Sequence, residues 1–299
     1  MSPVRSLFRF SPSVCLALLV ASLLSASPAQ AVITHVQQAS NSDASSATYT
    51  PFSATFPSAT ASNAIILGVT YGNTDPTITV TDNYGNGYAR AIKTYDAGHN
   101  QGCAIFYSIN VRGGASHTVT VNFSAPVAYL ALGIHEYSGV ASLDVTSGSI
   151  GNGTSISSGS ATTTAGGDLL FGCTAEDQVG HGDTFTAGAG FTKRVDLGNA
   201  AAYADEDAIQ STAGPAAATF TLSPNLGWIA DLAAFRASTA GGGGGPSITN
   251  VSPTSGPVGT SVTITGQHFG AIQNSSGVTF NGTPAAITTW SDTQIVAVV

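Results

Sequence analysis

Across residues 32–237 almost no stretch repeats its apolar residues at the 3.6-residue spacing of a helix. Short runs of β-branched and aromatic residues are instead separated by Gly, Asn, Asp and Pro. That pattern restricts the region to an all-β fold. Residues 117–123 (His-Thr-Val-Thr-Val-Asn-Phe) alternate, which sets Val119, Val121 and Phe123 on a core face. His117, Thr118 and Asn122 then fall toward the other face or the rim. Residues 64–71 and 168–173 are continuously apolar, as central strands covered on both sides should be. Residues 82–87 (Asp-Asn-Tyr-Gly-Asn-Gly) and 112–114 (Arg-Gly-Gly) supply the residues that tolerate positive φ at turns.

Two stretches of this region carry the same landmarks in the same order. Ala61-Ser-Asn-Ala-Ile-Ile-Leu-Gly68 is echoed by Ala165-Gly-Gly-Asp-Leu-Leu-Phe-Gly172. In each, a strand with a basic residue follows (Arg90; Lys193 and Arg194), then one with a tyrosine (Tyr107; Tyr203), then an aromatic-led strand beginning at Tyr129 or Trp228. The expectation is a two-layer, jelly-roll-like β-sandwich of two pseudo-duplicated halves, with Leu67 equivalent to Phe171 and Tyr129 to Trp228. A lone half of about five short strands would leave one sheet face uncovered.

Residues 238–245 end in five consecutive glycines and hold no fixed direction, so they are expected to link two domains. Beyond them, Pro253, Gly256, Pro257 and Gly259 frame a turn, Val262 and Ile264 alternate, and Gly266 and Phe269 mark a corner. Val278-Thr-Phe-Asn-Gly282, Ala285 and Trp290-Ser-Asp-Thr-Gln-Ile295 follow. This segment, residues 246–299, resembles an IPT/TIG domain, and the resemblance implies an immunoglobulin-like sandwich that stops before the last strands of the family.

Arg5 and Arg9, an apolar run of eleven residues from Val14 to Leu24, and Ala29-Gln-Ala31 have the order of a secretory signal cleaved near Ala31. Eleven apolar residues are too few for a bilayer, which needs roughly 20, so no membrane span is expected in the mature chain. Removing this leader leaves six basic residues against sixteen acidic ones, a net charge of -10. Such a surface has no basic stripe for nucleic acid or for an anionic membrane. The mature chain is expected to be secreted or held at the cell surface. Its two remaining cysteines, Cys103 and Cys173, meet an oxidising compartment there and either form a disulfide or pack as buried thiols.

A search for chemistry finds no motif that names a reaction. There are three glutamates, Glu136, Glu176 and Glu206, and none is paired with a second acid as glycoside hydrolysis requires. Asp205 and Asp207 share a strand face and could clamp a metal or act as acid and base. The competing reading is a solvent-facing strand in an acidic protein. No cofactor is expected: no Cys or His pair has zinc-ligand spacing. Calcium is left as an option, with Asp177, Asp183, Asp205 and Asp207 as its candidate ligands, although no spacing matches a known calcium loop. The expected function is a modular, non-enzymatic binding or adhesion protein of the cell exterior whose partner is a glycan or a surface protein. A carbohydrate-active enzyme and a purely structural spacer are the alternatives.

Overall fold

The computed structural model describes residues 31–45, 51–178, 184–238, 247–267, 269, 273, 277–280, 283–291 and 293–298. The expected signal and nearly all of the glycine linker lie outside the described residues, as does Asp183. The first half runs β1 (Thr34–Asp43), β2 (Phe52–Ala59), β3 (Ala64–Gly72), β4 (Ile78–Asp82), β5 (Ala89–Asp96), β6 (Gln101–Ser108), β7 (Gly114–Phe123) and β8 (Ala128–Ser138). The second half runs β9 (Val140–Ser157), β10 (Ala161–Thr162), β11 (Asp168–Glu176), β12 (Thr184–Ala187) and β13 (Thr192–Asp196). A single helical turn, α1 (Gly198–Ala201), then leads to β14 (Tyr203–Gln210), β15 (Pro215–Ala216) and β16 (Thr219–Ala237).

The duplication is written in the strand order. The first half has a sheet β1-β8-β3-β6-β5 with a second sheet β2-β7-β4 over it. In the second half β9 and the C-terminal part of β16 continue into β11-β14-β13, the same sequence of neighbours. The N-terminal part of β16 pairs with the end of β9 and with β12, which reproduces the smaller sheet. Strands that are separate in the first half, β1 with β2 and β7 with β8, are thus fused in the second into the 18-residue β9 and the 19-residue β16. The two expected layers are the two large sheets, which face each other, and each carries a further layer on its outer side.

Three cores follow from this stacking. Phe52, Phe56, Leu67, Phe106, Val119 and Phe123 fill the first half, and Phe185, Phe220, Leu222, Trp228 and several alanines fill the second. Ile66, Ile105, Phe171, Tyr203, Ile229 and Phe235 lie between the halves. Leu67 therefore points to an outer layer, whereas Phe171 points to the shared core, so the expected equivalence of these two residues places them on opposite faces. A one-residue slip inverts every side chain of a strand, and a run apolar on both faces carries no signal against such a slip.

His117 also departs from expectation: it is fully buried on the same face as Val119 and Val121. Its Nε2 lies 2.8 Å from Asp82 Oδ2. Asp82 also accepts from the backbone N–H groups of Tyr84 and Asn86, from the Asn86 amide and from the Tyr88 hydroxyl. Burial alone would raise the Asp82 carboxyl, but the bonds from Asn86, His117 and Tyr88 outweigh it and hold it below its ordinary range. The turn thus carries the buried anchor of the first half.

The C-terminal unit is small. Its strands are β17 (Ser247–Ser252), β18 (Ser261–Gln267), β19 (Thr279–Phe280), β20 (Thr283–Pro284), β21 (Ala286–Trp290) and β22 (Gln294–Val298). The larger sheet has the order β17-β18-β22-β21. Val262, Ile264, Phe269 and Ile295 are its buried core, with Trp290 packed against them and donating to the Phe269 carbonyl. Gly259, at φ +93°, supplies the left-handed residue of the turn before β18. Among the described residues no helix is long and apolar enough to cross a membrane.

Candidate functional site

The face shared by the two halves is more polar than a sandwich core needs to be. On the first sheet Gly68 and Gly133 stand opposite each other in register. A Cβ on Gly133 would lie 2.4 Å from Asp205 Oδ2, and one on Gly68 would lie 2.5 Å from the Tyr203 hydroxyl. The glycine pair thus opens a trough that receives side chains of β14. Asp205 accepts from Tyr203 (2.7 Å) and the Val195 N–H (2.8 Å), and its Oδ2 lies 2.7 Å from His135 Nε2. Asp207 accepts from Tyr137 (2.7 Å) and, through both oxygens, from Arg194 Nε (2.9 Å each).

Asp205 and Asp207 do share a face, but they are buried at 0% and 5% exposure rather than lying on a solvent-facing strand. Their oxygens are occupied by protein donors. Asp177 stands beyond the end of β11, its carboxylate 3.4 Å from His99, whose other nitrogen lies 2.7 Å from Asp96. Among the described residues, no three His, Cys, Asp or Glu side chains converge as a metal would require. The three described calcium candidates, Asp177, Asp205 and Asp207, are therefore distributed between two places. The Sγ atoms of Cys103 and Cys173 lie 2.6 Å apart in the shared core.

Two of the three glutamates tie segments together, whereas Glu176 accepts from the nearby Gln178 N–H. Glu136 is fully buried and accepts from the Thr60 N–H and from the Asn63 and Gln37 amides. Glu206 faces the outer layer of the second half, where it accepts from the N–H groups of Gly188 and Thr219, 2.8 Å each.

The Asp207 network opens on a groove of about 340 Å³ at one edge of the junction. Ile33, Leu169 and Ile209 form its apolar wall, and His35, Tyr137, Arg194 and Asp207 its polar one. Ile209 is 48% exposed, whereas Ile33 and Leu169 behind it are buried, so solvent reaches the groove beside Ile209. Burial, with the nearby Arg194 and His135, pushes the His35 imidazole down to about 4. His35 is therefore neutral at physiological pH, and its Nε2 has no hydrogen-bond partner. Its ring packs edge-on against Tyr137, centroids 5.2 Å apart. An apolar wall faced by a few fixed polar groups, in a cleft of several hundred Å³, is the usual form of a small-ligand site. Sequence reasoning singled out Asp207 but missed His35, Tyr137 and Arg194. The only signal for them is the basic residue that recurs after the glycine turn, and nothing in the sequence shows that β1 lies beside it.

Residues 246–299 match the model of the IPT/TIG domain. The C-terminal unit is an IPT/TIG domain. Domains of this immunoglobulin-like family occur in adhesion and binding proteins and mediate protein interactions. No curated protein and no solved structure matches the chain.

Proposed function

We propose that the protein is a secreted or surface-held binding protein, and that the groove between β1, β8, β13 and β14 takes a glycan. The observation that supports this most is the composition of the groove. The exposed Ile209 suits the C–H face of a sugar ring, and the same lining holds a neutral imidazole, a tyrosine and a guanidinium–carboxylate pair suited to hydroxyl groups. Its charges are already neutralised, since Arg194 and Asp207 pair with each other, so a neutral ligand needs no further counter-charge. The leader supports export, and the IPT/TIG domain supports a modular binding protein. No carboxylate of the groove is left free to act as a general acid beside a second one, and this favours binding over hydrolysis.

The test is a glycan array on the mature chain, followed by calorimetry on the strongest hit. Thr192→Trp places an indole on the groove rim from an exposed position of β13, and Ile209→Ala trims the apolar wall. Both variants are checked for an unchanged thermal transition. Affinity lowered at least tenfold by a groove variant supports the reading. No array hit, or full affinity in both folded variants, overturns it.

A further inference from the structure

We infer that Cys103 and Cys173 are joined by a disulfide that staples the two halves of the sandwich together. Cys103 lies on β6 of the first half and Cys173 on β11 of the second, and both are fully buried in the core between them. Their sulfurs stand 2.6 Å apart, closer than unbonded atoms rest, since even carbons pack at about 3.5–4.0 Å.

The surroundings are built for a bridge. Facing sheets pack about 10 Å apart, whereas bridged cysteines need Cα atoms within roughly 7 Å. Gly68 relieves that conflict: its missing Cβ would lie 3.1 Å from Cys173 Cβ, so the two sheets close in at this point. Burial pushes both thiols upward from their ordinary range. Once folded, the pair is a poor nucleophile and is closed to solvent, so the bond is structural rather than a reversible switch. It forms as the halves dock, by exchange with a disulfide-bearing oxidant of the export compartment. The two thiols release two protons and two electrons and become one S–S bond, and the oxidant's disulfide takes them up and leaves as two thiols. The bridge spans 70 residues of sequence, a loop long enough for cross-linking to restrict the unfolded chain strongly.

The experiment uses mature protein recovered from outside the cytoplasm and quenched in acid at harvest. It is denatured and alkylated with and without prior reduction. The expected result is no alkylation without reductant, two adducts after reduction, and a starting mass about 2 Da below the dithiol form. The thermal transition should fall by roughly 5–15 °C in reductant. The Cys103→Ala/Cys173→Ala double variant should show no such response, which separates loss of the bridge from a general effect of the reductant. Two adducts without reduction would overturn the inference.

Discussion

The two halves of the N-terminal unit share one strand order yet are held together by different means. The first half has separate strands, five large aromatic side chains in its core (Phe52, Phe56, Tyr71, Phe106 and Phe123) and a buried carboxylate, Asp82, surrounded by donors. In the second half, long fused strands enclose a core rich in alanine (Ala204, Ala216, Ala218, Ala230 and Ala234). Its buried carboxylate, Glu206, has two backbone donors and is nevertheless pushed up to about 7 by burial, with help from the charges of Asp205 and Asp207. One architecture therefore tolerates two kinds of interior. The first half, with more large aromatic side chains and a satisfied acid, is expected to be the more stable of the two, and the alanine-rich second half to depend on its neighbour. Amide exchange should accordingly be faster in β11 and β14 than in β3 and β6.

The largest expected effect comes from deleting the two acids. Asp82→Ala removes all its accepted bonds and leaves His117 buried without its partner, at a cost of about 3–5 kcal/mol. That corresponds to a fall of roughly 6–20 °C in thermal midpoint for a unit of this size. Glu206→Ala strands two N–H groups but also removes a desolvated charge, so at pH 7.5 it should cost only about 1 kcal/mol. Calorimetry on both variants decides the matter: equal losses would erase the distinction between the halves.

A smaller effect is expected where the halves meet. Gly133→Ala puts a methyl 2.4 Å from Asp205 Oδ2 and 2.7 Å from the Tyr203 hydroxyl. Overpacking of this kind costs about 1–3 kcal/mol. The sheets should separate slightly, and a single calorimetric transition should broaden or split as the second half loses support. A change below about 0.5 kcal/mol would show that the halves do not depend on this contact.

How much of this was legible in the sequence depended on which faces each strand shows to its neighbours. The all-β class, the duplication and the IPT/TIG turn were readable, because glycine turns and alternating Val and Ile repeat at short range. The facing of β11 was not, since Leu169, Leu170 and Phe171 are apolar toward both layers and a shift by one residue leaves the pattern intact. The burial of His117 and of Asp205 was equally hidden. Each is polar, and the partner that makes burial tolerable is 35 or 70 residues away. The groove shares this property, because His35 and Arg194 are neighbours only after the two halves have docked.

The smallest effect concerns pH and tests whether the strained acids lie on the second half's side of the junction. Asp231 on β16 is fully buried; its Oδ1 accepts from Thr94 across the junction and its Oδ2 has no partner. Burial pushes it up to about 7, as it does Glu206, and Asp168 reaches about 7 with a further contribution from Asp144. A carboxyl raised in the folded state is protonated there while the unfolded chain is already ionised. Its stabilisation is therefore complete below the unfolded value near 4 and is lost as pH rises through about 7. His35, lowered to about 4, works the other way, losing stability as pH falls from 6.5. Three acids outweigh one imidazole, so the thermal midpoint should rise as pH is taken from 7.5 to 5. Asp231→Asn keeps the acceptor for Thr94 and removes the charge. It should raise the thermal midpoint at pH 7.5, and the advantage should shrink toward zero near pH 4. A midpoint that stays flat between pH 7.5 and 5 in the wild type, with an Asn variant no more stable at either pH, would mean that the second half carries no strained charge and that its alanine-rich core alone sets it apart.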